Sequence, residues 1–206
     1  MTRAGGSASD GQIHRHHRSP HVAPHDIAVI VGSIRKGSLT RQLAEALIAL
    51  APESLRLRLV EIGDLALFNP DLDEGTPPES WTHFRAAIAS ADGILFVTPE
   101  HNRSIPAALK NALDIGSRPW GKNHWAGKPA AVVSGSPGAL GGFGANHQLR
   151  QILVVLDMPA MAQPEAYLGH LGQAFDAGGT LTEDRTRAHL QAVMQAFAAW
   201  VARQAA

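Results

Sequence analysis

Residues 26–50 read DIAVIVGSIRKGSLTRQLAEALIAL, and the change of pattern inside this stretch decides the fold class. DIAVIVGS is a continuous apolar run rich in β-branched residues, the pattern of a strand buried on both faces. TRQLAEALIAL then places Leu43, Leu47 and Leu50 on one helical face. Between the two lies a polar turn that holds Ser33, Ser38 and Thr40 together with the cations Arg35 and Lys36.

The same alternation runs on along the chain. SLRLRLVEI alternates as a strand, with Leu55, Leu57 and Leu59 on one side. SWTHFRAAIASA reads as a helix, and DGILFVTP as a second buried strand. IPAALKNALDIGS reads as a helix with Pro106 in its first turn, where proline is tolerated. KPAAVVSGS is a further buried strand, GANHQLRQILVVLD a helix, and MPAMAQPEAYL a short strand bounded by prolines. The closing helix, TEDRTRAHLQAVMQAFAAWVARQ, takes Thr182 as its N-cap, with Glu183 and Asp184 in the first turn. Five strands alternating with five helices predict an α/β fold, a doubly wound parallel sheet with helices on both faces. Such a sheet binds ligands outside the carboxyl ends of its strands. The loops to inspect are therefore GSIRKGSLT, TPEHNRSIP and SGSPGALGGFG.

Composition narrows the function classes. The chain has 206 residues, 45% of them apolar, enough for one domain with a substantial core. Its net charge is zero, which gives no sign of nucleic acid or an anionic membrane surface as an obligatory partner. The absence of cysteine excludes disulfides, thiolate metal sites and Cys nucleophiles. No apolar run approaches the roughly 20 residues of a membrane helix, so no membrane insertion is expected. Residues 1–25 hold Gly, Ser, Pro and five of the eleven histidines, with almost no large apolar residues and no apolar core of a secretory signal. They read as a disordered His-rich extension to a domain spanning 26–206, either a solvated tail or a weak transition-metal binder.

The first loop lacks both GxGxxG and GxxxxGK[ST]. Its hydroxyls, the fork of Arg35 and the free N–H groups of a helix beginning near Leu39 suit a terminal phosphate monoester. A capped turn carrying a solvated Arg-Lys pair reads equally well. In the second loop two prolines bracket Glu100, His101, Asn102 and Arg103. Neighbours in sequence splay apart, so backbone recognition of a planar heterocycle fits better than an acid–base cluster, with an elaborate turn as the alternative. The third loop carries Gly135, Gly138, Gly141, Gly142 and Gly144, which allow close approach of a ligand or make a flexible connection. Ser134 and Ser136 do not sit in a G-x-S-x-G elbow. His147 follows this loop, free to face a ligand, a partner or solvent, and no metal-ligand spacing occurs outside the tail.

GSIRKGSLTRQLA, TPEHNRSIPAALKNALDIGSRP, GKPAAVVSGSPGALGGFGANHQLRQIL and PEAYLG together resemble the NADPH-dependent FMN reductase family, over about residues 26–203. Within it the chain looks most like bacterial quinone, chromate and azo-dye reductases. The resemblance implies a flavodoxin-like sheet of order 2-1-3-4-5, non-covalent FMN, NADPH or NADH as co-substrate, and a homodimer or homotetramer. It implies that Ser33, Arg35, Ser38, Leu39 and Thr40 hold the FMN phosphate. Pro99, Glu100, His101, Asn102 and Arg103 would contact the isoalloxazine, largely through backbone. Ser134, Gly135, Ser136, Gly138, Gly141 and Gly142 would close on the ring and ribityl chain. The family often has Asn where Thr40 stands and Tyr where His101 stands. The hydride would pass through FMN N5 with no side chain as catalytic acid or base and no metal, to a small-molecule electron acceptor in the cytoplasm: a quinone, an azo or nitro compound, or an oxyanion such as chromate. The alternatives are a flavodoxin-like electron carrier, which zero net charge disfavours, and a non-catalytic regulatory or scaffold protein that kept the fold.

Overall fold

The structure, a computed structural model, describes residue 1 and residues 23–205. The proposed disorder of the N-terminal extension therefore lies almost wholly outside the described residues. Strand β1 (His25–Val31) starts one residue before the expected boundary, because the His25 N–H donates to Ser54 O at 2.9 Å. Helix α1 (Leu39–Ala49) and strand β2 (Leu55–Val60) follow, then α2 (Pro70–Asp73), α3 (Glu79–Ala89) and β3 (Gly93–Thr98). The chain continues through α4 (Ala107–Gly116), β4 (Ala130–Gly135), α5 (Phe143–Val155), β5 (Ala166–Leu168) and α6 (Asp184–Gln204). The five strands form one parallel sheet in the order 2-1-3-4-5.

The period of two along each strand divides the core. Ile27, Val29, Val31, Leu95 and Val97 face α1 and α6, where Leu43, Leu47, Val193 and Phe197 cover them. Ala28, Ile30, Ile94 and Phe96 face the other way, against Trp81, Leu109, Leu113, Leu149 and Leu153 of α3, α4 and α5. Leu55, Leu57 and Leu59 share the α1 side, as their alternation predicts.

The structure corrects four details. α2 is absent from the five-helix reading; four residues leave no periodicity to see, and the turn is held by an Asn69 cap and a buried Asp73–Arg85 pair at 2.7 Å. Pro106 occupies the cap position of α4 rather than its first turn. α6 is capped by Glu183, whose carboxylate accepts from the Thr186 N–H at 3.0 Å. Thr182 is committed elsewhere, with both its N–H and its hydroxyl donated to Ala174 O. β5 keeps only three residues of the run 158–168; Ala160 makes a single bridge to Ala130, and Pro164 interrupts the segment between.

Candidate active site

A cavity of about 440 Å³ opens above the carboxyl ends of β1, β3 and β4, where the strand order reverses. Its floor is Gly32, whose N–H continues the sheet by donating to Val97 O at 2.9 Å. A Cβ at Gly32 would meet Thr98 Oγ1 at 2.7 Å, so the floor stays bare.

The first wall is the turn into α1. Ser38 is the N-cap, accepting the Arg41 N–H on Oγ at 3.3 Å. Its Oγ also pairs with Thr40 Oγ1 at 2.9 Å, and both residues are buried. One hydroxyl proton is used between the two oxygens and the other remains for a ligand. Among the described residues the N–H groups of Leu39 and Thr40 bond to nothing, as expected in a first helical turn. Arg35 is exposed and curls over the loop, donating from Nη2 to Gly37 O at 3.0 Å. Arg41 is not available to the cavity. It pairs with Glu61 at 2.7 Å and Glu45 at 3.2 Å, and the Glu61 hydrogen bond raises its pKa further.

The second wall is a hairpin. His101 and Ser104 exchange N–H···O bonds of 2.9 Å in both directions. Asn102 and Arg103, at φ 51° and 65°, form a two-residue turn of the primed type. Pro99 and His101 line the cavity, with Pro106, Ala107 and Ala108 of the α4 entrance beside them. The side chain of Glu100 turns to α5 and accepts the Ala145 N–H at 3.1 Å. Asn102 and Arg103 stay exposed at the tip, outside the cavity lining.

The third wall is Gly135 and Pro137. The Ser134 side chain is fully buried and accepts from Asn146 Nδ2 at 3.2 Å. Ser136 Oγ donates to Gly138 O at 3.0 Å. Gly141 and Gly142, at φ 59° and 76°, let this loop pack on the sheet; a Cβ on Gly141 would lie 2.6 Å from the Tyr167 carbonyl carbon of β5, and one on Gly142 3.0 Å from Ser134 Cβ of β4. His147 is also outside the cavity lining. Its ring meets Phe143 at a tilt, centroids 4.2 Å apart, and hydrogen-bonds the Tyr167 hydroxyl at 2.9 Å, while burial and Glu165 push that phenol's pKa up.

Of the residues expected at the site, the cavity brings together Ser33, Arg35, Ser38, Leu39, Thr40, Pro99, His101 and Gly135. Glu100, Asn102, Arg103, Ser134, Ser136, Gly138, Gly141 and Gly142 lie outside its lining. The reading missed Gly32, Ile34, Pro106, Ala107, Ala108 and Pro137. Ile34 was detectable as a large apolar residue set in a polar turn, and it remains 64% exposed. The small residues at the start of α4 carry no signal until the hairpin is known to face them.

The donor set fits FMN. One end offers hydroxyls, free amides and a guanidinium at a helix N-terminus, the parts an anionic phosphate requires. The other end offers prolines and alanines that leave room for a flat ring, and no carboxylate lines the space. Among the described residues no group of three His, Cys, Asp or Glu is placed to hold a metal.

Comparison with known proteins agrees with this geometry. The family model described as NADPH-dependent FMN reductase matches residues 25–173. A quinone reductase of Pseudomonas putida is 58% identical over 177 residues, 86% of this chain and 95% of that protein. A 2-hydroxy-1,4-benzoquinone reductase of a Burkholderia species is 47% identical over 175 residues, 85% of this chain and 95% of that one. Among solved structures, FerB of Paracoccus denitrificans, a flavoenzyme NAD(P)H:(acceptor) oxidoreductase, superposes with a TM-score of 0.82. It is 40% identical, and the match covers 87% of this chain and 98% of that one.

Proposed function

The chain belongs to the NADPH-dependent FMN reductase family, and on that premise we propose that it reduces quinones, hydroxylated ones included, at the cavity above β1, β3 and β4. It is an NAD(P)H-dependent flavoenzyme with FMN as cofactor. FMN, when bound, supplies a carrier that takes hydride from the nicotinamide and passes it to the acceptor. The residues of the chain bind and orient. Ser38, Thr40, the Leu39 amide and Arg35 hold the phosphate; Pro99, His101 and Pro137 border the ring. No side chain is assigned as acid or base.

The observation that carries this reading is the polarity of one cavity: anion donors at the α1 end, small apolar residues at the other, and no carboxylate between. Chromate, azo dyes and nitro compounds join quinones as proposed acceptors, on the resemblance of the loop motifs to bacterial quinone, chromate and azo-dye reductases. We place the enzyme in the cytoplasm as a homodimer or homotetramer. Support for assembly comes from α5, where Val154 and Val155 are 79% and 80% exposed and Val155 lines a groove with Trp120, itself 88% exposed. α4 adds little to such a face, since Leu109, Leu113 and Ile115 are buried within the subunit.

The test is direct. The purified chain should take up FMN and show a flavin absorbance spectrum. It should then oxidise NADPH or NADH in the presence of benzoquinone or 2-hydroxy-1,4-benzoquinone. A chain that binds no FMN, or is reduced by neither nicotinamide, refutes the proposal.

A further inference from the structure

The hairpin Pro99–Ser104 has two non-glycine residues at positive φ and no core side chain at its tip, so something outside must hold it in shape. α5 has the complementary deficiency. Its N-cap is Gly142, which has no side chain to satisfy the amides of the first turn. Glu100 answers both. Oε2 accepts the Ala145 N–H at 3.1 Å, and Oε1 accepts from Arg103 at 2.8 Å. The carboxylate is only 11% exposed, at the positive end of a thirteen-residue helix. Gly144 is the residue that admits it: a Cβ there would stand 2.9 Å from Oε2. A second tie runs from the Ile105 N–H to Gln148 Oε1 at 3.3 Å.

We infer that Glu100 is a positioning residue, a helix cap delivered from another loop that locks the hairpin wall of the cavity to the α5 wall. This rests on the reading that the cavity holds FMN. Glu100 lies outside the cavity lining, between Pro99 and His101, which border the end proposed for the ring, and it is not part of the turn into α1. Its loss therefore acts on the isoalloxazine half of the ligand, whereas the phosphate groups act on the other half.

The experiment compares wild type, Glu100→Ala, Glu100→Gln and Gly144→Ala as full-length chains. In the FMN-free protein, amide hydrogen exchange at residues 101, 104 and 145 should accelerate at least tenfold in Glu100→Ala. The dissociation constants of FMN and riboflavin should rise together, by about tenfold, because the lost wall serves both. Glu100→Gln keeps an oxygen for Ala145 and should recover exchange and affinity to within about threefold. Gly144→Ala introduces a better helix former, so the fold is kept, yet its Cβ displaces the Glu100 carboxylate at 2.9 Å and crowds Arg103 O of the hairpin at 3.3 Å. It should reproduce the effects of Glu100→Ala. Unchanged exchange in both Glu100→Ala and Gly144→Ala overturns the inference, as does a loss confined to FMN. A wild-type chain that binds neither flavin overturns it along with the proposed function, whereas flavin binding equal in all four chains overturns the inference alone.

Discussion

Arg35→Ala tests the assignment of the two ends of the cavity. In the structure the guanidinium is exposed and holds only Gly37 O, at 3.0 Å, and that carbonyl can turn to water when the side chain is removed. The substitution therefore costs the fold little. A hydrogen bond to a charged group contributes about 1.5–3 kcal/mol, and solvent exposure places this one at the lower end. About 1.4 kcal/mol corresponds to a tenfold change in FMN dissociation constant. Raising ionic strength from about 0.1 M to about 1 M shortens the screening length from about 10 Å to about 3 Å, so the tenfold ratio should shrink to a few-fold. Arg35→Lys keeps the charge without the planar fork and should recover part of the loss. Titration monitored by flavin fluorescence, with FMN and riboflavin side by side, reads all of this. Riboflavin lacks the phosphate, and its affinity should be unchanged. Equal weakening of both ligands, or a ratio indifferent to salt, would refute the reasoning.

Three further outcomes are expected. Asp73→Ala strands the guanidinium of Arg85, which is 8% exposed and bonded to that carboxylate at 2.7 and 3.0 Å; the loss should be about 3–5 kcal/mol in urea unfolding, and less than about 1 kcal/mol would show the pair to be inert. His124 has its pKa lowered, first by burial and then by Arg85, Lys128 and Lys122, so the folded chain binds fewer protons than the unfolded chain below about pH 6.5. Stability should be full above that pH and fall as pH drops toward the folded value; His124→Asn keeps the backbone bond to Gly116 O and should flatten the urea midpoint between pH 7.5 and 5.5, and parallel profiles for the two chains would count against it. Replacing both Val154 and Val155 by Glu should leave the fold intact and yield the 21.8 kDa monomer by light scattering, whereas a wild type already monomeric at micromolar concentration would remove the case for assembly.

The fold was legible because burial leaves a pattern. A strand covered on both faces needs apolar residues at successive positions, and β1, β3 and β4 have them over residues 27–31, 94–97 and 130–133. The order of the strands came from motif resemblance, since periodicity does not say which strand neighbours which. The turn into α1 was legible for a different reason. Its donors are local, and a cap, two hydroxyls and a cation within eight residues can be recognised without knowing what stands opposite. Polar pairs closed across the fold leave no such trace. Nothing in the sequence says that Glu100 will meet an amide 45 residues away, or that Asp73 will find Arg85 and so create α2.

In the glycine-rich third loop one residue type answers to two different neighbours. Its composition suggested a ligand drawn close to bare backbone, and at Gly135, on the cavity wall, that remains the reading. At Gly141 the close neighbour is the chain itself. The backbone of Tyr167 and Leu168 lies 2.6 and 2.7 Å from where a Cβ would be, and Gly169 in turn lies 2.4 Å by the same measure from Ala139 O. Two stretches of main chain pass each other with no room for side chains on either. That crossing seats the loop, and the seated loop ends at Gly142, where α5 begins. A helix begun in this way has no cap of its own. The cap therefore has to come from outside, and the hairpin that borders the cavity supplies it through Glu100. The glycines that let the loop pack thus create the vacancy that ties the second wall of the cavity to the third.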